Sequence, residues 1–444
     1  CNCKYPKISL TNFLIKLYKI LSKINTLKNT SGKELYNYQK TAIEEIFQRF
    51  DSAADDYHLL YQLPTGGGKT VIFSEIVRRY ISKYNKKVLV LTHRIELSKQ
   101  TSNMLDEFGV PNKIINSTAN LDDQDNYHCF VAMVETLNNR LNEDKLDISN
   151  IGLVIIDEAH YNSFIKLFKF FDNSFVLGVT ATPLSSNKNL PMKDNYNELI
   201  TGESIANLIE NEFLAKAEII QYNMGLTSLE VGSNGDYTVK STEDLYTSNA
   251  MMDHLLQAYL SHSKGKKTLI FNNGINTSIQ VYYTLRAAGL PVKHLDNNAT
   301  KKQRAEIIQW FRETPDAILT SVSILTTGFD EPTIDTIILN RATKSLTLYY
   351  QMIGRGSRIL NNKSSFKVID LGNNCYRFGP WGADLDWQTI FRSPDYFVDR
   401  ILDDDEIENN FRFEMDSEIR SLFEKSEDVY FDVKATYTEA TANG

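Results

Sequence analysis

The chain has 444 residues, 42% hydrophobic and 23% charged. That is enough to bury a sizeable core but long for a single one, so two or three domains are expected. No run of roughly 18 apolar residues without charge occurs, which excludes a membrane-spanning helix. The net charge of -8 is unevenly spread: residues 381–444 hold 17 acidic against 6 basic side chains, leaving the rest slightly basic. The four cysteines (Cys1, Cys3, Cys129, Cys375) have no zinc-ribbon or disulfide-framework spacing, and a reducing, cytoplasmic setting is expected.

In chain order, residues 1–30 carry six lysines and no acid, with Phe13, Leu14, Leu17, Ile20, Leu21 and Ile24 at helical spacing. This predicts a short basic amphipathic helix, read first as a docking helix with a solvated lysine face and second as a nucleic-acid or membrane contact. Lys16 and Lys19 break any apolar signal region. The chain opens on Cys1 rather than Met, so its natural start is expected upstream.

From residue 35, short apolar strands alternate with amphipathic helices, the pattern of parallel α/β sheets. One series is expected at His58–Leu63, Val88–Thr92, Cys129–Val134, Leu153–Ile156 and Val176–Thr180, and a second at Thr268–Phe271, Val292–Leu295, Ala317–Ser321, Thr336–Leu339 and Phe366–Leu371. Ile72, Phe73, Ile76, Val77, Tyr80 and Ile81 share a helix face, and Thr300 is placed to cap a helix through Ile307, Ile308 and Phe311. Between the series, Leu184–Thr201 reads as a polar surface excursion, Ser204–Leu214 as a helix with Ile205, Leu208 and Ile209 inward, and Gly232–Asp236 as a turn. After Gly379 the alternation stops, and Asp403–Glu408 opens an acidic tail, partly helical or disordered. The expected divisions are 1–30, a first lobe over 31–203, a second over 204–379, and an acidic extension over 380–444.

Leu63-Pro-Thr-Gly-Gly-Gly-Lys-Thr70 follows the first strand and opens a helix. Thr65, Gly66, Gly67 and Gly68 can wrap backbone N–H groups around phosphates, Lys69 supplies a point charge, and Thr70 offers a hydroxyl to Mg²⁺. Leu63 stands where the strict motif has Gly. The apolar strand Gly152–Ile156 delivers Asp157-Glu158-Ala-His160 at its carboxyl end, where open parallel sheets bind ligands. Asp157 can hold Mg²⁺ and Glu158 can polarise the attacking water.

With these two motifs in place, the sequence resembles superfamily 2 helicases of the DEAD/DEAH-box type. The resemblance implies two tandem RecA-like parallel-sheet domains and covers residues 35–371. Tyr38-Gln39 resembles the upstream adenine-reading glutamine, Leu91-Thr-His-Arg94 motif Ia, Ala132-Met-Val-Glu-Thr-Leu137 motif Ib/Ic, and Thr180-Ala-Thr-Pro183 motif III. Phe271-Asn-Asn273 resembles motif IV, Leu325-Thr-Thr-Gly-Phe-Asp330 motif V, and Gln351-Met-Ile-Gly-Arg-Gly-Ser-Arg358 motif VI. The implied roles are water placement for Gln351, transition-state charge for Arg355 and Arg358, a nucleotide contact for Asp330, and coupling for His160, Thr180 and Thr182. Thr92, Arg94, Thr136, Asn272 and Thr326 are the implied phosphate contacts to a nucleic-acid strand, sequence-independent by their chemistry.

Thr-Ala-Thr in motif III and the Gln-first motif VI resemble the branch of type III restriction translocases and RadD-like repair helicases, which favours DNA over RNA as the partner. ATP and Mg²⁺ are the implied substrate and cofactor. RadD-like proteins carry a cysteine zinc module after the second lobe, whereas only Cys375 stands there in this chain. Two other readings are an ATP-gated nucleic-acid clamp or nuclease-partner subunit, and a metal nuclease core echoed by Asp432-Val-Lys434 with Pro394-Asp395 upstream.

Overall fold

The computed structural model describes residues 34–407 apart from 55, 118–123, 143–149, 186–189, 234, 323–324, 327, 399–400, 402–403 and 405. The basic helix expected over 1–30 and the residues from 408 onward, with Asp432 and Lys434, lie outside the described residues. The described chain forms two parallel sheets with helical crossovers, as the alternation implies.

The first sheet contains β1 (His58–Gln62), β2 (Lys87–Thr92), β3 (Asn112–Ile115), β4 (Cys129–Met133), β5 (Ile151–Asp157), β6 (Phe175–Thr180) and β7 (Glu198–Thr201), in the order β3-β4-β2-β5-β6-β1-β7. Its helices are α1 (Asn37–Ser52), α2 (Lys69–Tyr84), α3 (Ile95–Glu107) and α4 (Val134–Asn142). Strand β5 is buried at every position, the signature of a parallel strand covered on both faces. That is why Ile-Gly-Leu-Val-Ile-Ile reads as a continuous apolar run rather than an alternating one.

After α5 (Ile205–Glu210) the second sheet begins with β8 (Lys216–Gln221). It continues through α6 (Val239–Tyr246), α7 (Asn249–His262), β9 (Thr268–Asn272), α8 (Ile275–Ala287), β10 (Val292–Leu295), α9 (Lys301–Glu313) and β11 (Ile318–Ser321). Strand β12 (Thr336–Asn340), α10 (Leu346–Ile353) and β13 (Ser365–Asp370) complete it in the order β10-β11-β9-β12-β13-β8. Every registered pair in this sheet is parallel. Ile270, Ile318, Ile338 and Ile369 on four neighbouring strands pack with Leu255 and Tyr259 of α7 and Val281 and Leu285 of α8. Thr300 caps α9 as expected, accepting from the Gln303 N–H while the Gln303 side chain accepts from the Thr300 N–H.

By packing, the chain divides into two compact units. One comprises the described parts of Cys1–Tyr57, Thr70–Asp157 and Ser163–Leu177, and the other His58–Lys69, Glu158–Asn162 and the described part of Gly178–Gly444. The glycine loop, the turn at Glu158–His160 and the whole second sheet therefore belong to one unit.

Several expectations need correction. Strands β3, β7 and β8 were not expected: β3 is four residues long, and β8 is polar at alternate positions with none of its residues fully buried. The excursion expected over Leu184–Thr201 ends as β7, paired in register with β1, with Met192, Tyr196, Leu199 and Ile200 buried. The helix expected over Ser204–Leu214 stops at Glu210, because Glu212 takes a left-handed conformation with φ of 57°.

The start of the acidic extension is packed rather than solvated. Helices α11 (Asn374–Phe378), α12 (Trp387–Arg392) and α13 (Pro394–Val398) end the described chain. Trp381 packs edge-on against Phe366 of β13, and Trp387 edge-on against Tyr350 of α10. Gln388 donates to Leu199 O on β7 at 2.8 Å. Asp404, within the acidic run, accepts from Tyr237 and from the buried Arg377. Among the described residues no helix is long and apolar enough to cross a membrane.

A Trp381→Ala variant is expected to lose about 3–5 kcal/mol of stability, the usual cost of deleting a buried Trp side chain. Urea denaturation reads this directly; an unchanged midpoint would mean the segment after Gly379 contributes nothing to the core.

Candidate functional site

The strand order places β6 between β1 and β5, so three motifs leave the carboxyl ends of neighbouring strands. At the end of β1, Leu63 N–H donates to Thr180 O and Gly67 N–H to Pro64 O, closing a tight turn. Gly66 and Gly68 have φ of 95° and 87°, values that L side chains rarely adopt, so the loop can form only with glycine there. A β-carbon on Gly67 would come within 2.8 Å of the Leu63 side chain. The Leu63 that departs from the strict motif is thus buried beneath the loop and accommodated by Gly67. Lys69 Nζ donates to Leu63 O at 3.1 Å, folding the ammonium over the turn.

The acidic motif occupies a sharp bend after β5. Asp157 and Glu158 are both buried, and Glu158 has φ of 53°, an uncommon backbone conformation for a non-glycine residue. The bend is pinned by Ala159 N–H donating to Val179 O.

His160 is fully buried, and its two ring nitrogens face different motifs. Nδ1 lies 3.0 Å from Thr180 Oγ1, and Nε2 lies 3.4 Å from Gln351 Nε2. The Gln351 amide nitrogen can only donate, so His160 Nε2 accepts and the ring is neutral with its proton on Nδ1. Thr180 Oγ1 takes that proton's bond and passes its own to Thr182 O. Thr182 Oγ1 in turn donates to Thr347 Oγ1 on α10 at 2.8 Å. Burial holds the His160 pKa below its usual range, Glu158 opposes this, and Lys69 adds to it. The expected coupling residues His160, Thr180 and Thr182 are thus brought together with Gln351, and Thr347 joins them. A threonine in the first turn of a helix carries no distinguishing signal in sequence.

Motif VI separates its two arginines. Arg355 is buried, and its guanidinium donates to Phe329 O at 2.7 Å and Thr326 O at 2.6 Å. It is spent on motif V backbone. Arg358 instead donates from Nε to Asp330 Oδ1 at 2.9 Å, and its Nη1 is buried without a hydrogen-bond partner. A β-carbon on Gly66 would come within 2.6 Å of that Nη1, and one on Gly354 within 2.7 Å of Thr65 Cβ. The end of α10 therefore abuts the glycine turn itself. Lys363, which sequence reasoning missed, donates from a buried ammonium to Pro332 O and Gly356 O, joining the segment just after motif V to motif VI. Burial lowers its pKa to about 8.

The remaining candidates divide. Gln39 is buried and accepts from Tyr36 N–H through Oε1, so its carboxamide fastens the start of α1. Thr92 and Asn272 are fully buried. Thr92 bonds Ser98 Oγ at 2.7 Å, and Asn272 bonds Thr320, Ser321 O and Asn340 across three strands. Both side chains are satisfied inside the protein, where they hold strand ends in place. Thr326 is buried and lends its carbonyl to Arg355, while Arg94 and Thr136 are half-buried. Asp395, upstream partner of the echoed nuclease core, is exposed on α13.

The residues fit a magnesium-bound nucleoside triphosphate. The loop is a cradle that β-carbons would fill, Thr65 Oγ1 is buried without a partner, and Thr70 and Asp157 supply the hard oxygen ligands Mg²⁺ takes.

Two parallel sheets, with a phosphate loop after β1 and an acidic bend after β5, define a two-lobed nucleotide-binding protein of the RecA type. Residues 32–185 match the family model for the res subunit of type III restriction enzymes, and residues 250–360 the helicase conserved C-terminal domain. One helicase-family model thus falls on each of the two sheets, in the order found in the superfamily 2 helicases that the sequence resembles. It is 29% identical over 75% of its length to a 51.5 kDa protein of Lactococcus phage (isolate 7-9), spanning 69% of that protein. It is also 29% identical over 81% of its length to Irc3 of Saccharomyces cerevisiae, whose name assigns it provisionally to the ATP-dependent helicases, and spans 54% of it. Among solved structures it resembles a fragment assigned provisionally to the HsdR subunit of a type I restriction enzyme from Vibrio vulnificus YJ016. There the TM-score is 0.63 at 21% identity, covering 84% of this chain and 72% of that one.

The lowered His160 pKa makes stability pH-dependent. The unfolded imidazole takes a proton near its ordinary value of about 6.5, whereas the buried one resists it, so the stabilisation is full above that value and is lost as pH falls below it. His160→Gln is expected to flatten the fall in melting temperature between neutral pH and pH ~5.5, measured without nucleotide. An identical fall in both proteins would place the ring in an ordinary solvated setting.

Proposed function

We propose that this chain is a nucleic-acid-stimulated, Mg²⁺-dependent ATPase that moves along or remodels DNA, its lobes dividing near Ser204. The observation that carries the reading is the approach of motif VI to the glycine turn, with Arg358 beside Gly66 and Gln351 bonded to His160. A hydrolytic site needs a cradle, a water-activating base and a cation facing the terminal phosphate; the glycine loop, Glu158 and Arg358 would serve as these three.

Gly66, Gly67 and Gly68 would cradle the phosphates through their N–H groups, and Lys69 would exchange its bond to Leu63 O for one to a terminal phosphate oxygen. Thr70 and Asp157 would hold Mg²⁺, which when bound would supply positive charge against the phosphates. Glu158 would orient and deprotonate the attacking water, with Gln351 helping to place it. Arg358 would face the charge that develops at the terminal phosphate, while Arg355 keeps motif V in register. Gln39 would read the adenine edge by releasing Tyr36 N–H.

Favouring DNA are the match to the res-subunit model and the likeness to type I restriction subunits, among them the EcoAI endonuclease subunit of Escherichia coli, 23% identical over 77% of this chain. Arg94 and Thr136 would touch its phosphates, and backbone N–H groups at the strand ends would supply further contacts. A role in repair, recombination or restriction is part of the same proposal, and the restriction subunits support only the last of these.

Phosphate release should be measured with single-stranded, duplex and forked DNA and with RNA in parallel. DNA is expected to stimulate turnover. Stimulation by RNA alone would reverse the polymer, and nucleotide-dependent DNA binding without phosphate release would make the chain a clamp. Lys69→Ala is expected to abolish DNA-stimulated turnover, and Arg358→Ala to lower it by about 10³-fold or more. Full activity in either variant would remove that residue from the mechanism.

A further inference from the structure

Arg358 is held along one edge only. Its Nε donates to Asp330 Oδ1 at 2.9 Å, while Nη1 of the same planar guanidinium, with Leu214 Cδ2, lies 2.6 Å from where a β-carbon on Gly66 would stand. A guanidinium is rigid and its donors diverge at fixed angles. Anchoring Nε to a carboxylate therefore sets the direction of both Nη groups. Asp330 is itself fixed from the neighbouring backbone: Arg355 donates to Phe329 O, one residue before it, and Arg312 Nη2 donates to Asp330 O at 3.4 Å. Asp330 is 57% exposed and Arg358 30%. A pair this open contributes little to stability, so its worth lies in aim.

We propose that Asp330 is a positioning residue for Arg358, orienting the guanidinium toward the phosphate loop, rather than a group that binds the nucleotide directly. This rests on the reading of Arg358 as the phosphate-facing cation. Motif V then acts on the reacting phosphate through motif VI: its backbone carbonyls hold Arg355 and its carboxylate aims Arg358. A shift in the loop around Asp330 would misdirect Arg358 without moving α10, making turnover sensitive to whatever touches motif V.

The two roles separate in a double-mutant cycle. DNA-stimulated ATP hydrolysis should be measured for the wild-type chain, Asp330→Asn, Asp330→Glu, Arg358→Ala, and Asp330→Asn combined with Arg358→Ala. The expected result is that Asp330→Asn lowers kcat about tenfold with the KM for ATP nearly unchanged, since alignment acts on the transition state and not on ground-state binding. Asp330→Glu should recover part of the loss. In the Arg358→Ala background, Asp330→Asn should cost nothing further, because there is no guanidinium left to aim. Losses that multiply, or a raised KM at unchanged kcat, would overturn the inference and make Asp330 a nucleotide ligand. A wild-type chain that hydrolyses no ATP with any nucleic acid would instead defeat the proposed function, and this inference with it. Because Asp330 is exposed, the variants are expected to melt with the wild-type protein, which circular dichroism checks.

Discussion

The His160 imidazole is the pivot on which the arrangement depends. It is buried, neutral, and has each nitrogen assigned a single role by its neighbour: an acceptor toward Gln351, a donor toward Thr180. A buried polar group costs free energy unless satisfied, so this ring is retained only where both partners are in place. The consequence is a continuous thread from Gln351 in α10, through the acidic bend at the end of β5, to Thr180 and Thr182 at the end of β6, which returns to α10 at Thr347. A protonated ring would lose its acceptor and sever the thread at Gln351. The acidic bend and motif VI thus share one hydrogen-bonded set.

Around this thread, the two arginines of motif VI have different work although the sequence makes them look equivalent. Arg355 is consumed by two carbonyls of motif V, and Lys363 ties Pro332, two residues after that motif, to Gly356 of motif VI. These bonds make motif V and motif VI one mechanical piece, with Arg358 projecting from it toward the glycine turn. In the proposed motor, a shift of motif V would be passed to Arg358 through these bonds.

The sequence pattern predicted strands at ten places, and each holds a strand, because central parallel strands are long apolar runs bounded by turn residues. Of the four edge strands only β10 was legible. Strand β8 alternates Lys, Glu and Gln with apolar residues and buries none of them fully, and β7 follows a polar stretch whose buried residues, Met192 and Tyr196, are isolated in sequence. The packed segment after Gly379 was obscured by its acids, although Trp381, Trp387, Ile390 and Phe391 carry its burial. At the site, motif order identified which residues gather at strand ends but not which way they face. Asn272 and Thr92 look like available polar groups in a motif, yet each is satisfied within the protein. Such satisfaction is a three-dimensional property: Asn272 bonds residues 48 and 68 positions away. The same holds for Thr347, Lys363 and the Asp330–Arg358 pair, whose partners spacing alone does not reveal.

The most direct test of the central claim is a crystal structure with Mg²⁺ and a non-hydrolysable ATP analogue. The account predicts an Arg358 Nη atom within about 3 Å of a terminal phosphate oxygen, Asp330 still on Nε, and His160 still accepting from Gln351. A terminal phosphate contacted by Lys69 alone, with Arg358 turned away and the bond between His160 and Gln351 broken, would contradict it.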